Sequence, residues 1–397
     1  MTARRGRTWW PAVLAAVSAV PTLARTVPAQ TRSWRGTARI DAEVRYDDNP
    51  FLLTPSKKRA LGQVSPADAL SGRYVDMESA TDLVPLPAVE LGLRGPGLGG
   101  RALEVSADVA YEANLENARR RHAELELTVA QSLRRDGRLR LNADWRPSSF
   151  HKNYLQDAVD LDADGDIARE ERRYEAGMSR EIEVSVGYRH RLMKATKRRP
   201  VGLAAEVELG YFDRAYDAPF EGRGRRGPGA GLDLSLDVGR RWRIGLELGY
   251  ASESADPTPE VLILDENAFG VDFNANGAAD DDSARAMVAV DRSRTEQRLG
   301  ITLEGELSRA VTLEVAFGHR RRSFGSEQPY DVVNRDRRDR RNDLAAELDV
   351  RIASGLHVML GARRAVQTTN RAGDPGSTGE ETDYTRHVVS AGVRYRF

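Results

Sequence analysis

The chain has 397 residues, with 60 Lys and Arg balanced by 60 Asp and Glu, and no cysteine. The zero net charge excludes a global basic field for gripping nucleic acid or an anionic membrane surface. The missing thiols exclude disulfides, thiol catalysis and Cys-ligated metal centres.

The first predicted element is a targeting segment. Arg4, Arg5 and Arg7 form a positive start, WWPAVLAAVSAV follows as an apolar stretch, and Val27-Pro28-Ala29 offers small residues for cleavage. This reads as a secretory signal peptide over residues 1–29, since the apolar stretch falls short of the ~20 residues a membrane-spanning helix needs. The remainder, 30–397, reads as a single domain. No later apolar run approaches ~18 residues, so no transmembrane helix is expected there.

Strict alternation then dominates. ARIDAEVRY sets Ala38, Ile40, Ala42, Val44 and Tyr46 opposite Arg39, Asp41, Glu43 and Arg45. A period of two is a strand pattern. Residues 83–94 alternate too but contain Pro85 and Pro87, which remove two ladder donors. RALEVSADVAY, RLRLNADW, LAAEVELGY, GLDLSLDV, RWRIGLELGY, LGITLEGEL, AVTLEVAFGH, DLAAELDVRI, LHVMLGARRAV and VVSAGVRYRF continue the pattern to the last residue.

The gaps alternate as well. Short ones lie at 95–100, 134–137, 194–200, 239–241, 308–310 and 353–355. Long ones lie near 48–82, 147–177, 213–228, 253–287, 321–340 and 367–383, with a briefer gap near 113–120. All long loops therefore share one edge of the sheet and all tight turns the other. That is the layout of an all-β, transmembrane, antiparallel up-and-down β-barrel of about fourteen strands, with short periplasmic turns and long extracellular loops. A soluble sandwich also alternates, but three features favour the barrel. The polar face is densely charged on every strand. Aromatics gather near strand ends on the apolar face: Tyr46, Tyr111, Trp145, Tyr211, Tyr250 and Phe317 at the long-loop edge, Trp242, Tyr395 and Phe397 at the other. The apolar face also mixes Ala and Gly with Leu and Val, too little bulk for a two-sheet core.

The final strand VVSAGVRYRF, with Val393, Tyr395 and Phe397 on one face, resembles the C-terminal sorting strand of Gram-negative outer-membrane proteins. That resemblance implies recognition by the barrel assembly machinery and an outer-membrane location. The segment EVRYDDNPFLL, Glu43 to Leu53, resembles the opening of β-barrel porins, including those found beside polysaccharide-export systems.

Function then belongs to the lumen and the outer loops. Lumen-facing acids such as Asp41, Glu104, Asp108, Glu126, Asp144 and Glu247 outnumber lumen-facing bases such as Arg39, Arg138, Arg243 and Arg394. Charge rings set selectivity in pores, so this excess predicts a slight cation preference or a sugar-binding surface. Salt bridges that plug the lumen are the alternative. Two loop stretches read as calcium sites. DLDADGDIAREE would offer Asp160, Asp162, Asp164, the Asp166 carbonyl and Glu171, with Gly165 at the turn, in the spacing of an EF-hand loop flanked by strands instead of helices. DFNANGAADDDS repeats the scheme with Asp272, Asn274, Asn276 and Asp280 around Gly277, without a Glu to close the shell. The six His lack a nucleophile or orienting partner in sequence, and no phosphate-binding Gly loop opens a helix, so the chain does not read as an enzyme. The expectation is a porin-like channel for small polar solutes, or a conduit in glycan export, with outer-membrane lipid around it, Ca2+ in its loops and no nucleic-acid partner. The alternative is a closed adhesive barrel that displays calcium-stiffened loops.

Overall fold

The computed structural model describes residues 34–61, 77–133, 136–158, 172–196, 200–265, 283–328, 330–370 and 383–397. Sixteen strands follow in order: β1 (Arg35–Asp47), β2 (Asp82–Pro96), β3 (Ala102–Glu112), β4 (His122–Ser132), β5 (Gly137–Ala158), β6 (Arg172–Met193), β7 (Val201–Tyr216) and β8 (Arg225–Val238) come first. Then come β9 (Trp242–Glu253), β10 (Thr258–Asp265), β11 (Ser283–Val290), β12 (Arg294–Glu306), β13 (Val311–Phe324), β14 (Arg338–Ala353), β15 (Leu356–Thr369) and β16 (Tyr384–Arg396). Fourteen of these close an antiparallel barrel in which each strand pairs with the next, while β10 and β11 form a separate hairpin. β1 seals the barrel against β16 from Arg39↔Arg396 to Asp47↔Val388, and the Phe397 amide donates to the Ala38 carbonyl at 2.9 Å.

Closure abolishes sheet edges and leaves two faces, in and out. The apolar face points out. Leu209 is 59 % exposed and Tyr211 50 %, and Val109, Leu141, Val184, Leu248, Ile301, Leu344 and Val389 are similarly bare. Tyr46, Trp145, Tyr250 and Phe317 at one edge, and Trp242, Tyr395 and Phe397 at the other, are all exposed, as the alternation predicts. The tight turns use left-handed glycine where geometry demands it: Gly239 (φ 66°) joins β8 to β9, and Gly355 (φ 76°) closes the two-residue turn from β14 to β15.

The prolines of β2 fit for a local reason. The Leu83 and Pro85 carbonyls accept the Leu115 and Ala113 amides, so this alternate set of backbone groups faces β3. The regular ladder with β3 starts only at Ala88, so the donors missing at Pro85 and Pro87 fall where no ladder needs them. On the other side β2 pairs with β1 without interruption from Asp82 to Arg94.

Two long loops are shorter than the pattern predicts. β5 and β6 run 22 residues each and stay paired to Ala158↔Arg172. Register shifts between Arg146 and Ser149, Phe150 and Lys152, and Leu155 and Asp157 break the period of two, so the alternation fades after Trp145 although the strands go on. The stretch near 253–287 contains most of the β10–β11 hairpin rather than plain loop. Val261 of that hairpin packs on Leu155 and Ala158 of β5, and Val288 and Val290 pack with Val333. The hairpin and the tall β5–β6 pair thus form a raised wall at one side of the long-loop edge.

Candidate functional site: an arginine-lined cavity

The segment after β1 builds one side of the mouth. The Asp47 carboxylate accepts Arg386 Nε at 3.0 Å and Nη2 at 2.5 Å. The Asp48 carboxylate accepts the His387 amide at 2.6 Å and lies 2.9 Å from the His387 ring nitrogen Nδ1. Burial raises the Asp48 carboxyl, but the His387 hydrogen bonds and the Lys58 charge outweigh it and hold the group below its ordinary value. Asn49 is fully buried; its Nδ2 donates to the Leu53 and Thr385 carbonyls at 2.8 and 2.9 Å, and its Oδ1 accepts the Leu53 amide at 2.8 Å. This closure pulls Pro50, Phe51 and Leu52 into a tight loop, with Leu52 in the left-handed region at φ 57°. Phe51 then meets Phe150 edge-on at 6.2 Å and lies under the Arg120 guanidinium at 5.1 Å. A short helix, α1 (Pro55–Leu61), follows, and its Leu61 joins Phe51, Leu53, Met77 and Phe150 in an apolar cluster.

Behind Phe51 opens a cavity of about 280 Å³ whose lining, among the described residues, includes eleven arginines and a single acid, Asp339. Every one of them comes from a long-loop end of a strand or from a long loop. The local carboxylates are shared. Glu253 takes Arg225 at 3.1 Å and Arg294 at 2.9 Å. Glu260 takes Arg223 and Arg292. Glu181 takes Arg146 at 3.0 Å and Arg214 at 2.8 Å. Glu296, buried to 1 % exposure, takes Arg322 at 2.5 Å, Arg298, and Arg320 at 3.8 Å. Arg146 also reaches Glu124, and of the other lining arginines Arg386 pairs with Asp47, Arg337 with Asp339 and Arg341 with Asp343. Arg223 stacks 3.7 Å over the Tyr154 ring and Arg337 4.7 Å over Phe324, which holds these planes in place. Burial, and then the Arg386 charge, push the Arg120 guanidinium below its ordinary value.

The charge has the opposite sign on another part of the wall. Glu90, Asp108, Glu126, Asp144 and Glu183 are directly opposite one another across β2, β3, β4, β5 and β6. Arg39 meets the end of this row, 2.6 Å from Glu90 and 3.6 Å from Asp108. Among the described residues, Glu126, Asp144 and Glu183 have no ion-pair partner. Across the lumen, Arg298, Arg320 and Arg341 are directly opposite one another on β12, β13 and β14.

The lumen parity read from sequence holds for the strand centres: Arg39, Asp41, Glu104, Arg138, Arg140, Glu206 and Arg394 all meet partners on the inner face. The acid excess behind the expected slight cation preference does not extend along the whole lumen. The acid excess describes the middle of the barrel, but the long-loop end is arginine-lined. Arg214, Arg225, Arg294, Arg322 and Arg337 fall in or beside stretches that alternation assigns to loops, so they escape a count made on strand centres. The runs GHRRRSF and NRDRRDRRN were the available signal. His122 and His357 face the lumen as expected, the first beside Glu124 and the second 2.6 Å from Asp349. The calcium candidates Asp160, Asp162, Asp164, Asp166 and Glu171, and Asp272, Asn274, Asn276 and Asp280, lie outside the described residues. Their brackets do not: Ala158 pairs with Arg172, and Asp265 with Ser283, so each stretch joins two paired strand ends.

No family model matches the chain, and no curated protein matches it. Among solved structures it is similar to an anion-selective porin from Comamonas acidovorans, with 11 % identity over 92 % of this chain and 99 % of that one, at a TM-score of 0.38. It is also similar to the outer membrane channel DcaP of Acinetobacter baumannii, with 8 % identity over 92 % and 97 %, at 0.40. A third is OprD of Pseudomonas aeruginosa, with 10 % identity over 94 % and 98 %, at 0.36. At these values the likeness extends to the barrel fold and to no particular member.

Proposed function

We propose that the mature chain, from residue 30 onward once the signal segment 1–29 is removed, is a pore of the Gram-negative outer membrane that passes small polar solutes. The observation that carries this reading is the direction of the ion pairs. Among the described residues, those between barrel strands join strands at most two places apart around the ring: Arg140 to Glu208 from β5 to β7, Arg394 to Asp349 from β16 to β14, Arg39 to Asp108 from β1 to β3. They run along the wall instead of crossing the lumen, as a hydrated conduit requires. The exposed apolar belt with aromatic rims supports a lipid-facing exterior. Fourteen strands fall between the ~8 whose interior side chains fill and the ~16 that leave a wide aqueous channel. Phe397, 61 % exposed and set edge-on against Tyr395, is available to the barrel assembly machinery during insertion.

Single-channel recording in planar bilayers tests the pore. Steady open steps are expected near neutral pH. Silence from well-folded protein would favour the alternative, a closed barrel that displays its loops to a partner. Glycan export is the second use of such a conduit, and polysaccharide-dependent block of the same steps would support it.

The loops 160–171 and 272–280 are proposed calcium sites. A calcium loop needs its first and last ligands brought together, and the paired ends Ala158↔Arg172, next to Asp160 and Glu171, support that for the first stretch. Millimolar calcium should protect the wild-type loops from protease and the variant Asp162→Ala/Glu171→Gln should lose the protection. Equal cleavage of wild type with and without calcium would remove the metal from the account.

A further inference from the structure

We propose that the arginine cavity is a binding site for small polyanions, solutes bearing two or more carboxylate or phosphate groups, which it captures at the long-loop end of the pore. The inference rests on the pore reading for its biological setting, but the site is defined by its own geometry.

Structural ion pairing does not account for the cavity. Guanidinium groups that serve only to cross-link a wall need about one carboxylate each; here ten of the eleven lining arginines share seven carboxylates, and Arg120 has no ion-pair partner among the described residues. Arg298, Arg320 and Arg341 stand directly opposite one another, and two carboxylates, Glu296 for the first two and Asp343 for the third, offset these three like charges. The Nε–H groups of Arg120, Arg214, Arg225 and Arg294 are buried and have no protein acceptor among the described residues. A buried donor without an acceptor is unfavourable, and a ligand oxygen would relieve that cost.

The donor chemistry narrows the ligand. The charged donors of the lining are Arg without Lys, and a planar fork suits the paired oxygens of carboxylate and phosphate. Phe51, Tyr154 and Phe324 brace the forks from behind, so their orientation is set before an anion arrives. A volume of about 280 Å³ suits a solute of two or three anionic groups rather than a long polymer. The site is also asymmetric along the path. An anion from the long-loop side meets the arginines first and the Asp108–Glu126–Asp144–Glu183 row only deeper in the barrel, so binding is followed by repulsion that limits how tightly a solute is retained.

The test uses the full mature chain folded in detergent and reconstituted in bilayers, with pyrophosphate and citrate as probes. In a KCl gradient the wild type should show an anion-preferring reversal potential, and either probe added on the long-loop side should block the current. The variant Arg120→Gln/Arg320→Gln leaves the Glu296 carboxylate with two arginine partners, so the barrel should fold; its block should weaken at least tenfold. Block by pyrophosphate alone would assign the site to phosphate bearers, and block by citrate alone to carboxylates. A cation-preferring current that neither probe blocks would overturn the inference while leaving the pore intact. If the chain does not conduct, the pore reading falls, and calorimetric titration of the detergent-folded protein decides the site. Binding that is lost in the variant upholds the inference, and no heat from either probe overturns it.

Discussion

Two parts of one wall carry opposite charge by the same device. On β2–β6 five carboxylates line up across neighbouring strands, and on β12–β14 three arginines do so. Glu296 holds Arg298 and Arg320, and Asp343 holds Arg341, whereas the three central carboxylates on the other wall have no ion-pair partner among the described residues. The difference teaches that a chain with 60 bases and 60 acids can be strongly polarised in space. Register decides this. A slip of one residue in any strand would send its charges to the outer face.

The comparison can be broken most severely at Glu296. Replacing it with Ala strands Arg298, Arg320 and Arg322, and loss of one partner of a buried ionic group costs about 3 kcal/mol or more. Urea unfolding from a folded reference state should show that loss; an unchanged midpoint would mean that the arginines are held by something else. The mouth beside the arginines should depend on Asn49 next. Asn49→Ala removes three buried hydrogen bonds and should cost about 1–3 kcal/mol, visible as faster tryptic cutting after Lys57 and Lys58. Unchanged cutting would separate the YDDNPF segment from the order of the mouth.

How much of this was legible follows from where the period of two survives. Strand number, closure order, the lumen parity of the centres and both aromatic rims come from alternation, because burial on one face alone enforces it. The arginine cavity does not, since it sits at strand ends where bulges near Ser149 and Lys152 interrupt the period, and in loops that alternation cannot describe. The YDDNPF segment was recognisable as a motif, but its work is a set of contacts to residues such as Arg386 and His387, more than 330 positions away in the chain. No local pattern encodes such a contact. The β10–β11 hairpin was within reach: Ala286, Val288 and Val290 alternate and are buried.

Smaller effects sharpen the contrast. Asp144→Asn removes the central charge between Glu126 and Glu183 and should stabilise the barrel by up to about 1 kcal/mol, since like charges directly opposite are unfavourable. Destabilisation in the same urea assay would show that the row has an unseen counter-charge. At the mouth, the Asp48 carboxyl is lowered in the folded chain, so its contribution is complete above its unfolded value near ~3.9 and is lost as pH falls through the folded value. Asp48→Asn should flatten the stability profile below about pH 4, and a parallel profile would assign the acid slope elsewhere.

The most direct test reads both walls in one experiment. Reversal potentials in a KCl gradient are compared for wild type, for Glu126→Gln/Asp144→Asn/Glu183→Gln, and for Arg320→Gln/Arg322→Gln. Opposite walls of one aqueous path require shifts of opposite sign, toward anions for the first variant and toward cations for the second. Shifts of the same sign, or none in either, would contradict a lumen divided by charge.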